Sequence, residues 1–231
     1  MFFDPLYMLV MGVGLLLSLG AQAWVKSAVS TWSRVATARG MTGAEIALGM
    51  LRANGIQAVR VEPVSGFLSD HYDPSTRTLR LSHANYSGRS VAAAGIAAHE
   101  AGHALQHRDG YRPMLIRQKL VPVANIGTNL GVFMVMGGMA LGAAGLAKLG
   151  VVLFAGFVLF TLVTLPVEFD ASRRAYNALT SANIVLPNEA AGVRTVLTAA
   201  AATYVAAAVT AILQLLYFAL RAGLLGGRRQ E

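Results

Sequence analysis

Four stretches of this 231-residue chain run without a single Asp, Glu, Lys, Arg or His: Pro5–Val25, Leu120–Ala147, Leu149–Val167 and Thr195–Leu220. Each is about as long as a helix must be to cross ~30 Å of hydrocarbon. A chain that is 55% hydrophobic and only 13% charged also departs from the soluble average. The spacing therefore predicts a multi-pass membrane protein. The first stretch lacks the basic leader of a secretory signal and follows Asp4, so it reads as a retained anchor.

With no cysteine, neither a disulfide framework nor a thiolate metal site is possible. The net charge of +8 does not indicate a nucleic-acid partner, because Lys and Arg are scattered and flank apolar runs. If the termini lie on one side, segments 26–119 and 168–194 lie together on the other. Those segments hold Lys26, Arg34, Arg39, Arg108, Arg112, Arg117, Lys119, Arg173 and Arg174 near span ends, against Lys148, Arg221, Arg228 and Arg229 opposite. The positive-inside rule then predicts that the polar segments face the cytoplasm.

Between the first two spans the patterning is that of a folded domain. Ser27–Arg39 reads as a short helix. Thr42, with Glu45 three residues on, predicts a capped helix over 43–53, ended by Asn54–Gly55. Val59–Val64 and Thr78–Ser82 alternate apolar with charged residues at the period of half-buried strands, around a turn-rich Gly66–Pro74. The expectation is a short antiparallel sheet made of this pair. Ser90 predicts the cap of a helix running from Val91 to His107, whose apolar part is too short to span. A tight hairpin near Lys148–Gly150 is expected to join the second and third spans, and Pro187 to precede the last apolar helix.

The helix over 91–107 carries His99-Glu100-Ala101-Gly102-His103, the HExxH pattern. Residues four apart on a helix are separated by about one turn and only ~40° of rotation, so both imidazoles can reach one ion. Glu100 then stands beside the metal, placed to take a proton from water activated by zinc near neutral pH. A chance match is expected at roughly 0.005 per sequence of this length from its His and acidic content. Gly102 costs about 1 kcal/mol in a helix interior relative to Ala, which predicts a close approach by another element.

Catalytic zinc usually takes three protein ligands and leaves one position open. No histidine follows His107, and His107 itself lies about 12 Å along the helix axis from His99, too far to share the ion. Glu168 is the best remaining candidate, since a carboxylate at the polar end of the third span needs a partner. Asp170, two residues on, points about 160° away on a helix and makes a poor co-ligand.

Ser69-Asp70-His71-Tyr72-Asp73-Pro74, Leu81-Ser82, Ala98 through Gln106 around the HExxH, Leu165-Pro166-Val167-Glu168-Phe169-Asp170-Ala171-Ser172-Arg173-Arg174-Ala175 and Val196 through Ala201 together resemble the YugP-like family of bacterial neutral zinc metallopeptidases. The match covers nearly the whole chain. It implies a gluzincin-type enzyme with one zinc ion held by His99, His103 and Glu168, and Glu100 as catalytic base. More distantly, the chain is similar to HtpX-like membrane peptidases, whose third-ligand helix carries an Asp four residues after the Glu. Here that position is Ser172, so no carboxylate partner for a ligand imidazole is expected there.

Many gluzincins add the substrate backbone to an edge strand, and Thr78, Leu79, Arg80, Leu81 and Ser82 are expected to form one. His71 and Tyr72 are candidates for oxyanion donors, against the competing reading of turn residues around Asp70–Pro74. His107 and Ser172 are candidates for supporting the metal site. The fold class that follows is mainly α: four transmembrane helices plus a small α+β zincin-like metallopeptidase domain. Its expected segments are an N-terminal anchor (1–25), the metallopeptidase domain (26–119), a transmembrane hairpin (120–167), a third-ligand helix and loop (168–194) and a C-terminal transmembrane helix with a basic tail (195–231). The partners expected are a protein or peptide substrate and membrane lipid, in a bacterial cell membrane. Competing functions are a metal transporter, disfavoured because no span carries an ionisable ligand near mid-bilayer, an intramembrane protease, and a non-catalytic zinc scaffold, for which Glu100 would have no use.

Overall fold

The apolar runs are helical, as their length requires, in a computed structural model that describes residues 4–225. Elements follow in the order α1 (Pro5–Trp32), α2 (Gly43–Ala53), β1 (Arg60–Val64), β2 (His71–Asp73), β3 (Thr78–Ser82), α3 (His83–Tyr86), α4 (Val91–Arg108), α5 (Arg112–Ile126), a π-helical turn (Gly127–Gly131), α6 (Val132–Ala140), α7 (Ala144–Ser181) and α8 (Pro187–Arg221). The molecule is mainly helical, and among the described residues four helical segments are long and apolar enough to cross a membrane: Pro5–Trp32, Arg112–Ala140, Ala144–Ser181 and Pro187–Arg221. Arg228 and Arg229, counted in the charge balance above, lie outside the described residues.

Several boundaries differ from the sequence expectation. The segment 27–32 continues α1 instead of starting a separate helix, because nothing in Lys26–Trp32 breaks the pattern. The turn between the second and third spans falls at Leu141–Ala143, not near Lys148. Gly142 there adopts φ +67°, the left-handed backbone that ends a helix at low cost. Lys148 is therefore inside α7.

The chain divides into two compact units. One comprises the residues up to Gly20, Leu115–Leu165 and the residues from Thr203 on. Its interior is a cluster built on Val135, Val151, Phe154, Val158 and Phe218. Leu9, Leu16, Phe133 and Val152 point outward and are exposed, the inverse of a soluble surface and what a lipid-facing surface needs. Asp4 pairs with Arg221 and accepts a 3.0 Å hydrogen bond from Tyr217, so the start of α1 and the end of α8 meet.

The second unit, Ala21–Met114 with Pro166–Ala202, holds the domain seen in the sequence. Thr42 and Glu45 form a reciprocal capping box at α2, and Ser90 caps α4 by accepting from the Ala93 amide at 3.2 Å. The α4 helix is the core. Val91, Ala92, Ala94, Ala97, Ala98 and Ala101 are all fully buried, so it is packed on nearly every side, and its alanines let neighbouring backbones come close.

The sheet is three-stranded and mixed, in the order β1-β3-β2. The two strands expected to pair antiparallel do pair, but in parallel, with Val61 opposite Leu79 and Pro63 opposite Leu81. The segment 65–77 is long enough for the crossover that parallel pairing requires. It also supplies β2, read from sequence as a turn, which pairs antiparallel with β3 through His71–Arg80 and Asp73–Thr78. Asp73 closes that hairpin by accepting from the Ser75 amide and hydroxyl at 2.9 and 2.6 Å and the Thr76 hydroxyl at 2.7 Å. These bonds hold its carboxyl well below the usual carboxylate range. Asp70 accepts from the Ser82 amide at 2.8 Å and the Asn85 side chain at 2.9 Å, locking the end of β3 to the entry of β2.

Candidate metal centre

The distance between α4 and α7 decides what their side chains can do together. A Cβ on Gly102 would sit 2.8 Å from the carbonyl oxygen of Ala171 and 3.3 Å from its Cα, so the two backbones touch where only glycine fits. Ala98, Ala101, Ala171 and Ala175 flank this contact at 0% exposure. This is the close approach that a glycine inside the HExxH helix predicts.

The approach brings together one donor atom from each of three residues. His99, His103 and Glu168 place a ring nitrogen or carboxylate oxygen within 4.8 Å of one another. His99 Nε2 lies 3.2 Å and His103 Nε2 3.5 Å from the same oxygen, Glu168 Oε2. For a tetrahedral zinc with bonds near 2.0–2.1 Å, neighbouring donors should be about 3.3 Å apart. The two imidazole–carboxylate separations bracket that value, all three donors lie within 4.8 Å of one another, and two imidazoles with a carboxylate form a donor set suited to zinc, so the residues present fit the ion. The Glu168 side chain is 2% exposed, while those of His99 and His103 are 12% and 10% exposed, so the cluster is reached past its imidazoles.

Both rings are held by their other nitrogen. Ser172 Oγ lies 3.1 Å from His99 Nδ1, and Gln106 Oε1 lies 3.0 Å from His103 Nδ1. The Gln106 amide nitrogen donates to the Val167 carbonyl at 2.8 Å and to Asp170 Oδ2 at 3.0 Å. With its NH2 committed to two acceptors, its oxygen must face His103, so Nδ1 of that ring carries a proton and Nε2 is the nitrogen turned toward Glu168. A metal-binding histidine needs this kind of partner. Asp170 is anchored in turn by Arg174 Nε at 2.6 Å and by Arg173. Burial pulls the pKa of His103 down, but its hydrogen bond to Glu168, the charges of Glu100 and Glu168 and the bond to Gln106 outweigh it and leave it raised. Among the described residues, the Glu100 carboxylate has neither a hydrogen bond nor an ion pair, while the residue is only 8% exposed.

The remaining sequence candidates fall elsewhere. Tyr72 Oη and His107 Nδ1 are 2.9 Å apart, and both line a cavity of about 370 Å³ that includes Ile56, Arg77 and Ala104 but none of the three clustered donors. Burial raises the pKa of the Tyr72 hydroxyl. His71 is exposed, with Nδ1 2.8 Å from the Ser69 carbonyl and Nε2 3.4 Å from Arg80. Thr78, Leu79, Arg80, Leu81 and Ser82 do not form an edge. The strand β3 is the central one, paired with β1 on one side and β2 on the other, and the Ser82 amide is already bonded to Asp70, so no backbone there is left for a substrate strand. Gln106 and Asp170 are the residues sequence reasoning missed. Gln106 stands three residues after His103, on the same helix face, which is the one local signal that could have found it.

Comparison with known proteins agrees with this architecture. A curated relative from Bacillus subtilis (strain 168), described as "Putative membrane protease YugP", is 48% identical over 202 residues, covering 87% of this chain and 90% of its own length. No solved structure matches. A family model described as "Putative neutral zinc metallopeptidase" matches residues 7–223, and the chain belongs to that family of neutral zinc metallopeptidases, as its motifs implied.

Proposed function

We propose that this protein is a membrane-embedded endopeptidase in which His99, His103 and Glu168 hold one zinc ion and Glu100 is the general base. The observation that carries the reading is the convergence of His99 Nε2 and His103 Nε2 on Glu168 Oε2, at separations suited to a single tetrahedral ion. Bound by these three residues, zinc would supply the Lewis acidity that makes water a competent nucleophile at neutral pH. Glu100, next to the first imidazole and without another partner, takes the water proton as the oxygen–carbon bond forms. It then returns that proton to the amide nitrogen as the carbon–nitrogen bond breaks. Ser172 and Gln106 keep the imidazoles aimed and in one tautomer throughout.

The substrates are proteins at or near the membrane surface. Support comes from the position of Glu168 in α7, immediately after the uncharged run that ends at Val167. The cytoplasmic face is favoured by the basic residues that border the polar segments. A transporter would place ionisable ligands within its spans. Among the described residues the three-donor group draws two members from α4, which is not one of the spanning segments.

The test is Glu100→Gln. Purified in detergent, the variant should hold one zinc per chain while cleavage of a reporter whose scissile loop abuts a transmembrane helix falls about 10²–10⁴-fold. Cleavage at the wild-type rate would remove Glu100 from the mechanism. Equal cleavage of the membrane-adjacent loop and a free soluble peptide would remove the surface restriction.

A further inference from the structure

A groove of about 390 Å³ runs between α7 and α8 within the second unit. Its register is set by Arg194, whose guanidinium stacks 4.9 Å above the Tyr176 ring. Around that point the lining is polar, with Arg173, Asn177 and Thr198. Ala201, two turns along α8 from Arg194, and Phe169 on α7 make its other end apolar, with Leu197 beside Thr198 between the two ends. Phe169 is 47% exposed despite its size.

The polarity gradient follows the two helices toward the bilayer. Arg194 immediately precedes the uncharged run Thr195–Leu220, and Arg173 follows the uncharged run that ends at Val167. Arg194 and Ala201 are about 10 Å apart along the helix axis. That exceeds the ~5–8 Å headgroup layer of one leaflet. With Arg194 and Arg173 at headgroup level, the Phe169 and Ala201 end of the groove is the end nearest the hydrocarbon. Arg173 shares its charge with Asp170. Arg194 has no carboxylate partner among the described residues, only the face of Tyr176. A guanidinium without an anion, set over an aromatic ring at the membrane boundary, matches a phosphodiester in both charge and donor geometry.

We propose that this groove binds one anionic phospholipid, its phosphate on Arg194 with Arg173 alongside and its acyl chain against Phe169, Leu197 and Ala201. A soluble anion would have no use for the apolar half. A peptide carboxylate would have no use for an apolar end that opens toward the span. Ser172 lines the same groove and contacts His99 through its hydroxyl, so the lipid lies against the flank of the metal cluster. The inference does not depend on the peptidase reading, since its test reads binding alone.

The full-length protein is purified in neutral detergent, exposed to equal amounts of phosphatidylglycerol and phosphatidylcholine, and weighed by native mass spectrometry. One phosphatidylglycerol should stay bound in at least ~10-fold preference. Arg194→Gln should abolish that preference, Arg194→Lys should keep most of it, and Lys119→Gln, a cation at the polar end of another span, should leave it unchanged. On the wild-type protein, a photoreactive phosphatidylglycerol should label peptides containing residues 169–177 and 194–201, which makes the result independent of any variant's folding. Equal retention of both lipids, full retention by folded Arg194→Gln, or labelling only elsewhere overturns the proposal. So does displacement of the lipid by millimolar inorganic phosphate, which would mark a simple ion site, or by an acidic peptide, which would mark a substrate subsite.

Discussion

Replacing Gly102 with Ala sets two effects against each other, and the structure says which wins. Helix propensity alone favours Ala by about 1 kcal/mol in a helix interior. The added methyl, however, would sit 2.8 Å from the Ala171 carbonyl oxygen and 3.3 Å from its Cα. Both neighbours are backbone, so no side chain can rotate away, and α4 and α7 must part by several tenths of an ångström. Overpacking of this kind costs about 1–3 kcal/mol, which cancels or exceeds the propensity gain. At about 2–4 °C per kcal/mol the melting midpoint should fall by a few degrees. The consequence for the site is larger. Ala171 is three residues from Glu168, and donors now 3.2 and 3.5 Å apart would be drawn away from the spacing one ion needs. Zinc content after dialysis against a weak chelator should therefore drop while helix content by circular dichroism stays the same. A variant that melts several degrees higher than wild type and keeps its zinc would refute the packing argument.

Gln106→Met keeps the volume but strips His103, Asp170 and the Val167 carbonyl of a shared partner, and zinc affinity should fall about 10–100-fold in a competition titration. Removing the metal with a strong chelator should lower the melting midpoint, and zinc but not magnesium should restore it, because imidazole donors select against a hard oxygen-seeking cation. Hydrogen bonds from Arg108 and Arg174 hold the Asp109 carboxyl below its ordinary value. Its contribution is thus complete above the unfolded pKa of about 3.9 and is lost as pH falls through the lowered folded value. Asp109→Asn should cost about 0.2–1 kcal/mol at neutral pH for a partly exposed pair and should flatten the decline in stability below about pH 4, followed by acid titration of intrinsic fluorescence.

Local signals account for most of what could be read from the chain. Thr42 with Glu45, Ser90 before Val91, and the left-handed Gly55 each act within a few residues, and those helix ends fall where such chemistry puts them, whereas the turn at Gly142 falls before the Lys148 region that the sequence predicts. The sheet shows the limit of the same logic. Alternation marks β1 and β3 as strands, but period two is identical for parallel and antiparallel neighbours, so direction depends on the path of 65–77. The three residues of β2 are too few to carry a pattern. Once β2 covers β3, an edge read from sequence becomes the centre of the sheet.

The metal cluster divides along a similar line. His99 and His103 are legible because their spacing is one helical turn, a property of α4 alone. Glu168 could be proposed only because a carboxylate at the end of an apolar run is costly enough to need a reason. What joins the two is the run of small residues on α4 and α7. Ala98, Ala101, Gly102, Ala171 and Ala175 have nothing to offer the chemistry, yet larger side chains there would hold the helices too far apart for Glu168 to reach either imidazole. Ser172 as a support follows from that proximity, while Gln106 has only its place three residues after His103 to mark it. Asp170 points away from the donors, as its two-residue offset requires, and for that reason it is free to anchor Gln106 instead. Small residues bordering HExxH and its distant carboxylate are thus a packing signal for the site, one that can be read before any coordinates are known.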